Sequence, residues 1–481
     1  MGTALRFPVW KERKNDDGGN DMERFTLAQA AAWTKGEARG TAELTAVSTD
    51  SRQIPTEALF LPIRGERFDA HDFIAKAIEN GAAAVVSHRQ NEEYPVPALY
   101  VENTSQALLD LAGGYREMCG GKVVGVTGSV GKTTTKELLY AVLKQKFNAQ
   151  KTEGNLNNEV GLPLTLLRMM RDTEVMVAEM GMNHFGEISR MTAAARPDIA
   201  VITNIGTSHI EFLGSREGIC KAKLEILEGL QKDGYAVLCG DEPLLWDKRA
   251  QLGCRVVTYG MENRECDLTA CLHDDGTFDI INNSLPAASL PAGGRFTAKL
   301  SIPGAHNVLN ALAAAVVGLL LGETPEQIAA GLQTYEASGL RQNIYEQDGY
   351  QIYADCYNAS PDAMEATLAV LGTMAPEGRR FAVLGSMLEL GGYAEEGHRR
   401  AGRAAARYAD ALYAYGPDAD AMVAGAKEKG MDRAYAFADQ AALVAALRQD
   451  AKKGDALLFK GSRGMRMEQA LKLFLGEDVE E

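Results

Sequence analysis

Residues 125–135 read Gly125-Val126-Thr127-Gly128-Ser129-Val130-Gly131-Lys132-Thr133-Thr134-Thr135. They follow an apolar strand predicted over 122–126 and precede a helix in which Leu139, Leu143 and Phe147 recur every four residues, with Leu138 and Val142 beside them. That period belongs to a helix laid on a sheet. A glycine-rich turn between a buried strand and a helix lets successive backbone N–H groups surround phosphate oxygens, helped by the helix N-terminus. Lys132 would offset charge on the outer phosphates and the Thr133 hydroxyl would meet Mg²⁺. The strict GxxxxGK[ST] pattern wants glycine at 126, where this chain has valine. The remaining GxxGxxGKTT, in its strand–turn–helix setting, still predicts a nucleotide site over Gly128, Ser129, Val130, Gly131, Lys132, Thr133 and Thr134.

A parallel sheet follows from the same pattern. Short apolar strands are predicted at 175–178, 199–203, 235–238 and 255–259, alternating with helices, as in a sheet covered on both faces. Turn signals and alternation over 267–300 predict an antiparallel excursion, and helices over 307–321 and 325–335 close this part. Upstream, a polar extension (1–24) precedes a helix over 25–33, strand-like pieces in 44–100, a helix over 73–79, and a helix over 105–118 that ends at Gly120-Gly121. Downstream of Gly339, strands at 351–354, 381–384, 412–415, 434–437 and 456–459 alternate with alanine-rich helices. This is Rossmann-like in kind but has no GxGxxG. The expected organisation is an extension (1–24), a small mixed α/β domain (25–120), a central phosphate-loop parallel-sheet domain (121–339) and a C-terminal Rossmann-like domain (340–481). A length of 481 residues agrees with three domains of roughly 150 each.

Composition narrows the partners. A formal charge of −15 argues against a nucleic-acid surface, and the longest apolar run, 311–321, is too short to cross a bilayer. The first 21 residues have no apolar h-region, so no signal peptide is read there. Seven cysteines, odd in number and without CxxC, point to the cytoplasm, and the Cys266, Cys271, His273 group lacks zinc spacing.

Other groups take their meaning from position. Glu179 ends the 175–178 strand, and a carboxylate at the carboxyl end of a parallel strand faces the ligand crevice, where it can accept Mg²⁺ beside Thr133. His209 and Glu211 follow the 199–203 strand; chemistry alone leaves His209 open as a ligand. Lys221 and Lys223 lie on the next helix, and spacing assigns neither a role. Polar stretches at 50–52, 154–159, 304–307, 355–358 and 460–463 are each either turns and caps or parts of a site between domains.

Taken together, these motifs resemble the Mur ligase family. They include Asp50-Ser51-Arg52, 63–67 (IRGER), His71-Asp72-Phe73, the GKTTTKE run, GNLNNEVGLP, EMGMNHFGEI, TNIGTSHIEFLGS, GAHNVLNALAA, YNASPDAM, VLGSMLELG and KGSRGMRME, and the likeness runs from about Phe25 to the end. Within the family the chain is most similar to the branch that joins D-alanyl-D-alanine to UDP-N-acetylmuramoyl-tripeptide. The resemblance implies the three-domain Mur ligase architecture and ATP-driven amide formation through an acyl phosphate. It also implies two Mg²⁺ sites: one held by Thr133 and Glu179, the other by Glu179, His209 and a carbamate formed from CO2 on Lys223 rather than Lys221. His306, Asn307, Arg341 and Asp355 would handle ATP, Asn157 would lie near metal and phosphate, and Asp50, Ser51 and Arg52 near the UDP-sugar. Asn358 and the 386–390 loop would face the dipeptide. No nucleic acid, no membrane insertion and a monomer are expected. Departures from the family pattern are Ser129-Val130 before GKT, Ala354, Ser360 and Cys239. Open alternatives are a sibling Mur ligase, a folylpolyglutamate-synthase-like ligase and a non-catalytic nucleotide-binding scaffold.

Overall fold

The computed structural model describes residues 22–65, 68–335, 339–375 and 377–477. The polar extension lies, through residue 21, outside the described residues, as do Glu66 and Arg67 of the IRGER stretch.

Three sheets form the frame, with a two-stranded pairing of Phe25–Thr26 and Glu43–Leu44 beside them. The central sheet has nine strands. Six run parallel, from Ala149–Lys151 at one edge through Val175–Glu179, Lys122–Thr127, Ile199–Ile202 and Tyr235–Cys239 to Arg255–Gly260. The expected excursion is a meander of Leu268–Leu272, Thr277–Asn282 and Arg295–Lys299, joined to Arg255–Gly260 by a short parallel pairing.

Register positions the chemistry. Glu179 lies opposite Val126, Ile202 opposite Thr127, and Leu238 opposite Ile202. The glycine-rich loop, Glu179, the chain after Ile202 and Cys239 therefore emerge at one edge, the carboxyl end of four neighbouring parallel strands. These strands are buried on both faces, which explains their continuous rather than alternating apolar character. Helix Ala305–Leu320 is apolar all round from Ala311 onward and packs against Lys132–Leu143, so the longest apolar run of the sequence lies in a core helix.

The N-terminal sheet orders Glu37–Arg39, Ala98–Tyr100, Ala84–Ser87, Ala58–Phe60 and Ala46–Ser48, with all but the first parallel to its neighbour. Residues 25–26 are strand rather than helix. Thr26 caps helix Leu27–Thr34: its hydroxyl accepts from the Gln29 N–H at 3.2 Å while the Gln29 amide oxygen accepts from the Thr26 N–H at 2.8 Å. Helix Thr104–Cys119 packs on Gly161–Leu166 and Glu187–Ala195 of the central part, and the Tyr115 hydroxyl donates to the Met169 carbonyl at 2.8 Å. One apolar cluster runs unbroken from Phe25 to Tyr335, so the first two sheets share a core.

The C-terminal sheet orders Asn343–Gln347, Tyr350–Asp355, Ala456–Lys460, Arg380–Gly385, Ala411–Tyr415 and Ala434–Phe437, parallel except for the first. Its two faces carry separate apolar clusters, built only from residues after 339. Among the described residues no helix is long and apolar enough to cross a membrane.

Candidate functional site

The glycine-rich loop needs its glycines for two reasons. Gly128 has φ +154°, and a Cβ there would overlap the Thr203 hydroxyl; Gly131 has φ +82°, with Asn310 Oδ1 only 2.6 Å from where a Cβ would stand. The chain after Ile202 holds the loop. Thr203 Oγ1 donates to the Val130 carbonyl at 2.7 Å, and Asn204 Oδ1 accepts from the N–H groups of Ser129 (3.1 Å) and Val130 (2.9 Å). Those two donors are thus committed to the protein, leaving the first N–H groups of helix Lys132–Leu143 to meet an anion, as helix N-termini do. Lys132 folds back and donates to the Gly128 carbonyl at 2.8 Å; its enclosure lowers its pKa, and Glu179 partly counters this.

Glu179 is fully buried. Its Oε1 accepts from Thr133 Oγ1 at 3.2 Å and from Asn157 Nδ2 at 2.8 Å, so both predicted partners converge on one oxygen. Its Oε2 has no hydrogen bond among the described residues, although Lys136 Nζ stands 3.8 Å away. A buried carboxylate oxygen is expensive to leave unpaired. With the Thr133 hydroxyl adjacent, these hard oxygens fit a magnesium ion. Lys136 is a site residue that sequence reading missed. It is buried against Glu137 and Glu179, and its signal was the charge pair inside the GKTTTKE run.

His209 sits in the left-handed region (φ 62°), with its Nδ1 2.8 Å from Glu389 Oε2 but without hydrogen-bond alignment. The two lysines left open by spacing are separated by burial. Lys221 is exposed, its ammonium 5.7 Å from the Phe185 ring centre, whereas Lys223 is 2 % exposed. Among the described residues the Lys223 ammonium has no ion pair or hydrogen bond. Burial, reinforced by the neighbouring Lys132 charge, pushes its pKa well below the lysine range.

The opposite wall comes from the C-terminal domain and its junction. The Arg341 guanidinium lies over the Tyr357 ring, 3.9 Å from its centre. Asp355 is paired with Lys460, which also donates to the Asn358 carbonyl at 2.9 Å. Gln342 bridges the junction by accepting from Asn307 Nδ2 at 2.9 Å. Asn307 is buried behind the cavity, donating also to the Pro303 carbonyl at 2.7 Å.

One cavity of about 550 Å³ collects Ser129 to Thr134, Asn157, Glu179, His209, His306, Arg341, Asp355 and Asn358. Cys239 and Ser360 open onto it as well. Burial pushes the Cys239 thiol up to about 12, and Ser360 caps helix Pro361–Leu371. Gly128, Asn307 and Lys223 do not line it. Asp50 lies elsewhere, in a second cavity of about 390 Å³ between the N-terminal sheet and Leu156, Leu164, Leu167 and Arg168. Arg52 binds Asp50 through Nε (2.9 Å) and Nη2 (2.8 Å) and holds its carboxyl down to about 2; Ser51 adjoins them outside the lining. Asp69, His71 and His88 also cluster, but both ring nitrogens of His71 are engaged: Nδ1 with Asp69 at 2.5 Å and Nε2 with His88 at 2.8 Å. That makes a hydrogen-bonded relay. Cys266 is buried and Cys271 exposed.

Comparison with known proteins agrees with this arrangement. Residues 43–116 match the Mur ligase family catalytic domain, 126–318 the Mur ligase middle domain, and 340–463 the Mur ligase glutamate ligase domain. A UDP-N-acetylmuramoyl-tripeptide–D-alanyl-D-alanine ligase of Bacillus subtilis (strain 168) is 40% identical over 438 residues, covering 89% of this chain and 92% of that protein. A crystal structure of MurF from Acinetobacter baumannii superposes with a TM-score of 0.86 at 31% identity, covering 95% of this chain and 100% of the other. MurF ligase from Thermotoga maritima, solved with ADP, gives 0.79 at 33% identity, covering 90% and 97%.

Proposed function

The chain belongs to the Mur ligase family, and from that premise we propose that it joins D-alanyl-D-alanine to UDP-N-acetylmuramoyl-tripeptide at the expense of ATP. The observation that carries this reading is the single cavity onto which the glycine-rich loop, Glu179, His209 and the C-terminal Arg341 and Asp355 all open.

The tripeptide carboxylate attacks the γ-phosphorus of ATP, and ADP leaves with the bridging oxygen. The dipeptide amine then attacks the acyl phosphate carbonyl, and phosphate leaves. Overall a carboxylate, an ammonium and ATP become an amide, ADP, phosphate and one proton. The tripeptide carboxylate and the ATP phosphates that meet in the first step are both anionic, so the protein's task is to position the groups and offset charge. Lys132 and the first N–H groups of its helix bind the outer phosphates, and Arg341 approaches from the other wall. Thr133 and Glu179 would hold one Mg²⁺; Glu179, His209 and a carbamylated Lys223 would hold a second. Bound Mg²⁺ neutralises phosphate charge and lowers the cost of building more of it. The burial of Lys223 supports the carbamate, because only a neutral amine adds CO2, and burial lowers the pKa of this amine and so favours its neutral form. Asn157 orients Glu179 through its amide.

We place the domain boundaries at 120/121 and 339/340. Positive φ at Gly120 and Gly121 supports the first, and the separate apolar clusters after residue 339 support the second. The cavity bearing Asp50 would receive the UDP end, with Ser51 and Arg52 beside it, and Asn358 would face the dipeptide. A cytoplasmic monomer that binds neither nucleic acid nor membrane completes the reading.

The test is phosphate release from ATP and Mg²⁺, with the two other substrates supplied singly and together. One-to-one coupling to a UDP-muramoyl-pentapeptide mass is expected. A folded, ATP-binding protein that forms no amide would overturn the reading.

A further inference from the structure

The chain between Ile202 and Ile210 is gripped from two sides. Thr203 and Asn204 hold the glycine-rich loop at Val130 and Ser129. Its distal half meets two carboxylates of the C-terminal domain. Asp362 Oδ2 accepts from the Thr207 N–H at 3.0 Å and from the Thr207 hydroxyl at 3.2 Å; Glu389 Oε2 lies 2.8 Å from His209 Nδ1.

Several features indicate a built contact. The other oxygen of Asp362 accepts from Arg400 Nη1 at 2.9 Å, so its own domain fixes the carboxylate before it reaches the loop. A Cβ at Gly206 would overlap Asp362 Oδ2, so the close approach needs glycine. His209 (φ 62°) and Glu389 (φ 63°) are both non-glycine residues in the left-handed region, a conformation that neighbouring structure has to impose. Gly391 then packs against Glu211, with a Cβ there 2.9 Å from the Glu211 Cγ. A carboxylate beside an anion site is unfavourable unless donors claim it: Asp362 takes a backbone N–H, a hydroxyl and a guanidinium, while Glu389 faces the His209 ring. The C-terminal domain has its own apolar clusters and meets this loop through polar groups, so the contact can break and re-form.

We propose that Asp362 and Glu389 are positioning residues that clasp the 203–209 loop, so that docking of the C-terminal domain sets the glycine-rich loop and His209 together. The inference rests on the ligase reading for its kinetic consequence, though not for its structural one. The segment that hydrogen-bonds Val130 through Thr203 and Asn204 runs on to Thr207 and His209, so one short stretch of chain contacts both the phosphate loop and the C-terminal domain. Loss of either carboxylate leaves the phosphate-binding groups in place, held by Thr203 and Asn204, but loosens their register with the C-terminal wall.

The test uses the full chain carrying Asp362→Asn, Glu389→Gln or both, with Glu395→Gln, an exposed helix-surface change, as control. Rates of phosphate release are measured alongside calorimetric binding of a non-hydrolysable ATP analogue with Mg²⁺. Small-angle scattering with and without that analogue reads domain docking directly. Each single variant is expected to lower kcat by about 10- to 100-fold, the range for losing a group that orients a ligand. Analogue affinity should change by less than about 3-fold, and the double variant should lose less than the product of the singles. Nucleotide-induced compaction should diminish in all three. Wild-type kcat together with wild-type compaction in the single variants would overturn the proposal. Should Asp362→Asn fail to fold, Thr207→Val removes one of the same contacts from the other side and is judged by the same readouts. If the wild type compacts with nucleotide yet forms no amide, the ligase reading fails while the scattering still decides the clasp.

Discussion

Glu323 offers a quantitative test of the packing. It follows helix Ala305–Leu320, is 0 % exposed, and neither carboxyl oxygen has a hydrogen-bond partner among the described residues. Its backbone is well held: the N–H donates to the Gly318 carbonyl at 2.9 Å and the carbonyl accepts from Ser289 Oγ at 2.6 Å. Burial therefore strands an ionisable group and pushes its pKa from 4.5 up to about 7, with the Lys146 charge pulling weakly the other way. Because the folded pKa lies above the unfolded one, folding favours the protonated form. The cost is absent below the unfolded value, accumulates as pH rises from about 4.5 to about 7, and stays constant beyond. A shift of that size has a ceiling of about 3 kcal/mol, and relaxation around the charged form brings the expectation to about 1–2 kcal/mol. Glu323→Gln cannot ionise. Its stability relative to wild type, from urea unfolding of the full chain, should rise by that amount between pH 4.5 and pH 8. The fixed offset from burying an amide is the same at every pH and drops out. An unchanged difference across the range would refute the reasoning, as would an infrared titration placing this carboxyl near its ordinary value.

Three further outcomes follow from the site. Lys132→Ala should abolish ligation while leaving the circular dichroism spectrum unchanged; near-full turnover would remove the glycine-rich loop from the chemistry. Lys223→Ala should cripple activity, with partial recovery on adding short carboxylates, while Lys221→Ala remains close to wild type; equal tolerance at both positions would rule out a carbamate. Gly128→Ala places a methyl group on the Thr203 hydroxyl at a φ that side chains rarely adopt, so nucleotide affinity in calorimetry should fall by at least about 10-fold.

Much of the frame was legible because it depends on local pattern. Strands 122–126 and 175–178 were readable from their short, non-alternating apolar stretches, and the glycine-rich loop between strand and helix was readable from residue type alone. Small errors came where a side chain decides an end: Thr26 and Gln29 form a capping box that starts the first helix after Phe25–Thr26 rather than at Phe25. Lys221 and Lys223 show where pattern stops. They lie two apart on one helix, and only packing makes one exposed and the other buried.

The sequence by itself therefore determined the alternation of strand and helix, the phosphate loop and, through its motifs, the family. The tertiary structure alone decided which oxygen of Glu179 lacks a partner, which of the two lysines is buried, and how Asn204, Asp362 and Glu389 converge on one loop. Periodicity and turn chemistry act between neighbours a few residues apart. Burial and electrostatics instead depend on groups such as Ser129 and Asp362, far apart in the chain, which only the tertiary fold brings within a hydrogen bond of the 203–209 segment.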